Sequence, residues 1–173
     1  MLSPGRPVVW GIDLSTKQLD LAFVADDGSW QTNASKLPRS RDDDPSVVLA
    51  KAWDQATQFF SVMAVHFPPV YVLVERPTGR FPSPSLMMTA GIVAGALGKC
   101  VDAPVDFVAV SSWKAAIGLG GNASKGSVRQ WADNLGGSIA SQDAADALGV
   151  GSAAALRCDG WVGAKWVAPP SYV

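Results

Sequence analysis

Three short, mostly apolar runs constrain the layout of this chain: residues 7–14 (PVVWGIDL), 70–74 (VYVLV) and 105–110 (VDFVAV). Each is too short for a buried helix, and each is bounded like a strand covered on both faces. Such strands need helices above and below them, and the intervening segments supply those helices. Residues 45–67 open with Pro45 after Asp44, a favoured helix start. That segment carries Val48, Ala52, Trp53, Ala56, Phe59, Phe60 and Met63 at three- and four-residue steps. Residues 85–101 read as a second helix, rich in Gly and Ala and apolar on most sides. Right-handed crossovers through the two helices place the second and third runs parallel to the first.

Between the first run and the first helix, residues 19–24 and 30–37 read as two more strands around the turn Asp26-Asp27-Gly28-Ser29. They make the N-terminal third an antiparallel meander, with a polar loop at 38–44. After the last strand come a short helix from Ser111 and a Gly-rich loop at 118–123. Two further helices follow, from Ser124 to about 135 and from Ser141 to about 156. The expected fold class is therefore α/β: a mixed five-stranded sheet, three antiparallel strands then two parallel, flanked by helices. At 173 residues the chain fits one domain, expected over 1–157, with a tail at 158–173 that carries Trp161 and Trp166. Sites in sheets of this kind lie at the edge formed by the carboxyl ends of the parallel strands.

The acidic residues fall at that edge. Of 15 acids, 14 are aspartates, and the single glutamate, Glu75, closes the second apolar run. A charge ending a buried strand is costly unless it reaches the surface or a partner. Asp13 lies near the end of the neighbouring first strand, and Asp143 and Asp146 share one face of the last helix at i, i+3. With that helix across the sheet edge, four carboxylates converge, and they repel one another unless cations are present. The chain has one histidine, His66, and two distant cysteines, Cys100 and Cys158, so a zinc site or disulfide framework is not expected. Oxygen donors alone point to Mg²⁺ or Mn²⁺. Two such ions about 4 Å apart can activate a water and stabilise the leaving oxygen in phosphodiester cleavage. Taken singly, each acid has an ordinary alternative: Asp13 can open a turn, and Asp143 suits the first turn of a helix.

On these residues the chain resembles the RuvC-type Holliday-junction resolvases of the RNase H-like nuclease superfamily. The resemblance is carried by GIDLSTKQLDLAFV, VYVLVERP and DAADALGVGSAAA, and by SSWKAAIGLGGNASKGSVRQWADNL with a lysine on either side of its Gly-rich loop. It covers residues 8–156. The resemblance implies an RNase H-like fold and a metal-dependent endonuclease that cuts Holliday junctions, with flaps, forks or other branched DNA also in view. It implies Asp13, Glu75, Asp143 and Asp146 as catalytic metal ligands for two Mg²⁺ or Mn²⁺ ions, with Lys114 and Lys125 facing the scissile strand. It also implies a homodimer formed through the helix at 85–101. Arg76, Arg80, Asn122, Ser124 and Arg129 join the two lysines as expected DNA contacts, the Gly-rich loop leading to a helix N-terminus suited to phosphate. Phe81 is the candidate for the family's base-stacking aromatic, although the loop Arg76-Pro77-Thr78-Gly79-Arg80-Phe81-Pro82 is unusually Pro-rich and Phe81 can equally pack on the next helix.

Three rival readings remain at this level: an RNase H-like nuclease acting on RNA, a non-catalytic scaffold for branched DNA, and an ATP-binding domain of the actin-like or sugar-kinase type. The last is served by GIDLSTK, but its fold needs two such domains and 173 residues supply one. A P-loop is excluded because Lys125 is preceded by Ser124 rather than Gly and followed by Gly126 rather than Ser or Thr. The net charge of −1 does not exclude DNA, since setting aside the four proposed ligands leaves 11 acids against 14 bases. The first six residues lack a signal-peptide layout, and the longest apolar stretch, 86–98, falls short of the roughly 20 residues a bilayer span needs. The expectation is a protein of the cytoplasm, of a bacterial cell or a virus-infected host, with no membrane partner.

Overall fold

The computed structural model describes residues 2–38, 44–77 and 82–158. Strands β1 (Val8–Leu14), β2 (Gln18–Ala25) and β3 (Trp30–Lys36) form the antiparallel meander. The first hairpin is closed by Ser15, whose hydroxyl accepts the backbone N–H groups of Lys17 and Gln18. Asp27 closes the second turn by accepting the backbone N–H and hydroxyl of Ser29, with Gly28 in the left-handed region at φ 81°. Helix α1 (Pro45–His66) is capped by Asp44, which accepts from Ser46 N–H. It leads to β4 (Pro69–Glu75), α2 (Pro84–Cys100) and β5 (Val105–Val108). The sheet order is β3-β2-β1-β4-β5, with β4 parallel to β1 and β5 parallel to β4. This is the expected mixed five-stranded sheet.

β5 ends at Val108 rather than continuing to 110, because Val110 already opens helix α3 (Val110–Ala116). Helices α4 (Lys125–Asn134) and α5 (Gln142–Ala155) complete the chain, capped by Ser124 and Ser141 through their side-chain oxygens. Among the described residues no helix is long and apolar enough to cross a membrane.

Strand alternation sorts the core into two layers. Val8, Trp10 and Ile12 of β1, with Leu21 and Phe23 of β2, pack against Phe60 of α1 and Val93 and Leu97 of α2. Val9, Ala22, Val24 and Leu73 face the opposite layer, built around α5 with Trp113 and Trp131. Gly11 makes that second layer possible. A Cβ there would lie 1.9 Å from the backbone nitrogen of Gly151 and 2.5 Å from the carbonyl of Ala147. α5 therefore rests directly on the β1 backbone, and its small residues from Ala144 to Ala155 are nearly all buried.

Candidate active site

The contact between Gly11 and Gly151 sets where the acids of α5 fall. Asp146 lies five residues before Gly151, about 7–8 Å along the helix axis. Asp13 lies two residues beyond Gly11, about 7 Å along β1. The two offsets match. Asp13, Asp143 and Asp146 each present a carboxylate oxygen, and these oxygens lie within 4.8 Å of one another. Asp13 and Asp146 are each 8% exposed, and Asp143 is half-buried.

Glu75 ends β4 on the same sheet face as Leu73, beside this trio rather than within it. Its Oε2 accepts a hydrogen bond from the indole Nε1 of Trp113 at 2.7 Å. Its charge nevertheless reaches the cluster, since it is the strongest of the repulsions acting on Asp13.

Burial, then repulsion from Glu75, Asp146, Asp143 and Asp20, pushes the Asp13 carboxyl up to about 8. Burial also raises Glu75, against the lowering effect of the Trp113 hydrogen bond, and raises Asp146, against the hydrogen bond from Gln142 at 3.0 Å. A site so arranged favours either protons or cations. Its donors are all carboxylate oxygens, which fits a hard divalent cation such as Mg²⁺ or Mn²⁺ and does not fit one that prefers sulfur or imidazole.

Two lysines border the acids. Lys114, 9% exposed, donates from Nζ to the carbonyl of Ala123 at 2.7 Å and draws the Gly-rich segment back onto α3. Lys125 is the exposed first residue of α4. Both act on Glu75 and Asp146, favouring their charged forms. Asn122 and Ser124 are exposed beside Lys125, with Ser124 accepting from Ser127 N–H at 3.1 Å as the α4 cap. Arg76 is exposed immediately after Glu75. Arg129 is differently employed: its Nε bonds Asp133 and its Nη2 donates to the Ile139 carbonyl at 2.8 Å, tying α4 to the segment before α5. Arg80, Phe81, Trp161 and Trp166 lie outside the described residues, as does the tail beyond Cys158.

Two further residues belong to this neighbourhood without having been singled out by sequence. Asp20 pairs directly across from Asp13 in the β1–β2 ladder and is 2% exposed. Both of its oxygens accept from Gln18 Nε2 at 2.9 Å, and burial raises its carboxyl. Counting outward from the hairpin, where Leu14 faces Leu19, gives the Asp13–Asp20 pair. The second is Trp113, a core residue by composition whose N–H is spent on Glu75. Its ring rests on α5 at Gly149, where a Cβ would come within 2.5 Å of Cζ3.

The fold and site define an RNase H-like α/β domain with an acidic edge. No family model and no curated protein sequence matches the chain. Among solved structures it is similar to Thermus thermophilus RuvC, with TM-score 0.63 and 20% identity over 83% of this chain and 90% of that one. It is similar also to T. thermophilus RuvC in complex with Holliday junction substrate, with TM-score 0.66, 22% identity and the same coverage of 83% and 90%. The yeast mitochondrial Holliday junction resolvase Ydc2 aligns over 96% of this chain and 82% of its own length, at TM-score 0.52 and 16% identity. The chain thus has the fold of the RuvC-type resolvases.

Proposed function

We propose that this protein is a metal-dependent, structure-selective DNA endonuclease that cleaves Holliday junctions and related branched DNA. The observation that carries the reading is the convergence of Asp13, Asp143 and Asp146, with Glu75 alongside, at one sheet edge bordered by Lys114 and Lys125. The fold adds support, since one similar structure is a RuvC bound to a junction substrate. Asp13, Glu75, Asp143 and Asp146 would hold two Mg²⁺ or Mn²⁺ ions. Those ions supply activation of the attacking water and stabilisation of the leaving oxygen.

The chain's own residues do the rest. The four carboxylates fix the cations relative to the sheet and, by repelling phosphate when bare, make DNA approach depend on cation loading. Lys125, exposed at the start of α4, is placed to hold a phosphate together with the α4 N-terminus. Lys114 holds the Gly-rich segment and adds positive charge where negative charge develops. Arg76, Asn122 and Ser124 extend the phosphate contact, and Arg80, Phe81 and Arg129 remain proposed DNA contacts. In this reading Phe81 stacks on an unpaired base, and the products carry 5′-phosphates. The nuclease domain is taken as residues 1–157, and recombination, repair or replication-intermediate processing as its setting in the cytoplasm.

Symmetric cutting of a four-way junction calls for two active sites, so the proposed working form is a homodimer through α2. That helix exposes Met87 and Met88 and has open space over Gly91 and Gly98. The deciding experiment is cleavage of end-labelled four-way, forked, flapped and linear DNA with and without Mg²⁺, on wild type and Glu75→Gln. The expected result is Mg²⁺-dependent cutting of branched substrates that the variant lacks while keeping its fold. Undiminished cutting by the variant, or equal cutting of linear duplex, would overturn the proposal.

A further inference from the structure

The four proposed ligands sit on three separate elements, and something must hold Glu75 of β4 at a set distance from the acids of α5. Trp113 touches both elements. Its ring is 1% exposed and lies against α5 at Gly149, one helical turn after Asp146. Its Nε1 donates to Glu75 Oε2 at 2.7 Å. An indole N–H is a donor only, so this bond is available to the carboxylate in its charged form and engages one oxygen, leaving Oε1 for another partner. Packing holds the donor itself: an indole enclosed on α5 has few rotamers to choose from. The next residue, Lys114, anchors the Gly-rich segment through Ala123, so two consecutive residues of a seven-residue helix tie down two sides of the edge.

We propose that Trp113 is the positioning residue for Glu75. Its indole N–H fixes the carboxylate beside the α5 acids, so that a divalent cation meets a preset group. This inference rests on the metal-site reading above and deepens it. Outer partners that orient a metal ligand typically contribute 10–100-fold to metal affinity. Loss of the N–H should therefore weaken cation binding while leaving the rest of the ligand set in place.

The test is Mn²⁺ binding by titration calorimetry on the full chain, comparing wild type with Trp113→Phe, which keeps an aromatic ring and removes the donor. Circular dichroism and melting of the metal-free proteins are recorded alongside. The expected result is a rise of about tenfold in the Mn²⁺ dissociation constant of a folded variant. In parallel, the assigned Trp113 indole ¹H–¹⁵N resonance of the wild type is followed during Mg²⁺ addition. It should shift and saturate with occupancy, as expected of a donor bonded to a ligand carboxylate. Equal Mn²⁺ affinity in wild type and folded Trp113→Phe overturns the proposal while leaving the metal-site reading standing. An indole resonance unmoved at saturating Mg²⁺ does the same without the variant, and so decides the matter if Trp113→Phe does not fold. Absence of Mn²⁺ binding in the wild type overturns both.

Discussion

Replacing Asp13 with asparagine should stabilise the metal-free protein, and the gain should grow with pH. The Asp13 carboxyl ordinarily titrates at 3.8 and is pushed to about 8 in the folded chain by burial and by the neighbouring acids. Below 3.8 both states carry the proton and the group costs nothing. Between 3.8 and about 8 the unfolded chain ionises while the folded chain does not, so stability falls as pH rises. At 1.36 kcal/mol per pH unit the penalty is about 2 kcal/mol at pH 5 and about 5 kcal/mol at pH 8. Asn is close in size and carries no charge, so these figures are ceilings on the gain. For a domain of this length, about 2–4 °C of melting temperature per kcal/mol sets the ceiling on the upward shift at about 10–20 °C at pH 8 and about 4–8 °C at pH 5. The assay is thermal unfolding in EDTA at both pH values, repeated with Mg²⁺. Wild type should gain melting temperature from Mg²⁺ at pH 8, and Asp13→Asn should gain little. A variant less stable than wild type at pH 8 in EDTA, or a gain that does not increase from pH 5 to pH 8, would refute the electrostatic account of the site.

Other substitutions probe the framework around the acids. Gly11→Ala places a Cβ 1.9 Å from the Gly151 backbone, so urea unfolding should show a loss of at least about 3 kcal/mol or no folded protein. Gly91→Ala meets nothing within 4 Å and should raise monomer stability by about 0.5–1 kcal/mol, while sedimentation should show weaker self-association if α2 forms the dimer. Lys114→Met removes the tether to Ala123 and should lower the cleavage rate about 100-fold in single-turnover assays, with faster proteolysis in the Gly-rich segment. Four-way-junction binding by gel shift should be weak in EDTA and strengthen with Ca²⁺, which can occupy an oxygen-donor site.

The sheet order was legible because residues 7–14, 70–74 and 105–110 combine strand length with apolar content and are separated by helix-length segments. Asp13, Asp143 and Asp146 followed from topology plus i, i+3 spacing, and the structure brings their oxygens together. What could not be read was anything set by register or by side-chain direction. Asp20 depends on which residue faces Asp13 across the hairpin, and a shift of one residue would have turned it to the other layer. Trp113 offered an apolar ring to composition-based reasoning, and only its placement between Gly149 and Glu75 shows where the N–H goes. Glu75 stands beside the close trio of aspartates, with one oxygen bonded to Trp113, and neither that spacing nor that partner is legible from the end of an apolar run. Arg129 pairs with Asp133 four residues on along the same helix and also donates to the Ile139 carbonyl, a second partner that helical spacing does not give.

These particulars change how a near-neutral protein can approach DNA. Arg6 is engaged with Asp26 and Asp27, and Arg129 with Asp133, so part of the basic count is matched by acids far from the edge. Around the edge itself stand Asp13, Asp20, Glu75, Asp143 and Asp146, against Arg76, Lys114 and Lys125. Fully ionised, that neighbourhood is negative and repels a phosphate. With two divalent cations held there its charge becomes positive by about two units. Asp20 deepens the negative metal-free state without joining the close trio, and the size of the swing is set by the charge the cations bring. The same repulsion that raises the Asp13 carboxyl to about 8 is what a cation relieves. Metal affinity, stability in the metal-free state and DNA affinity are therefore three readings of one electrostatic quantity, and substitutions that ease the repulsion in the metal-free state should weaken cation and DNA binding together.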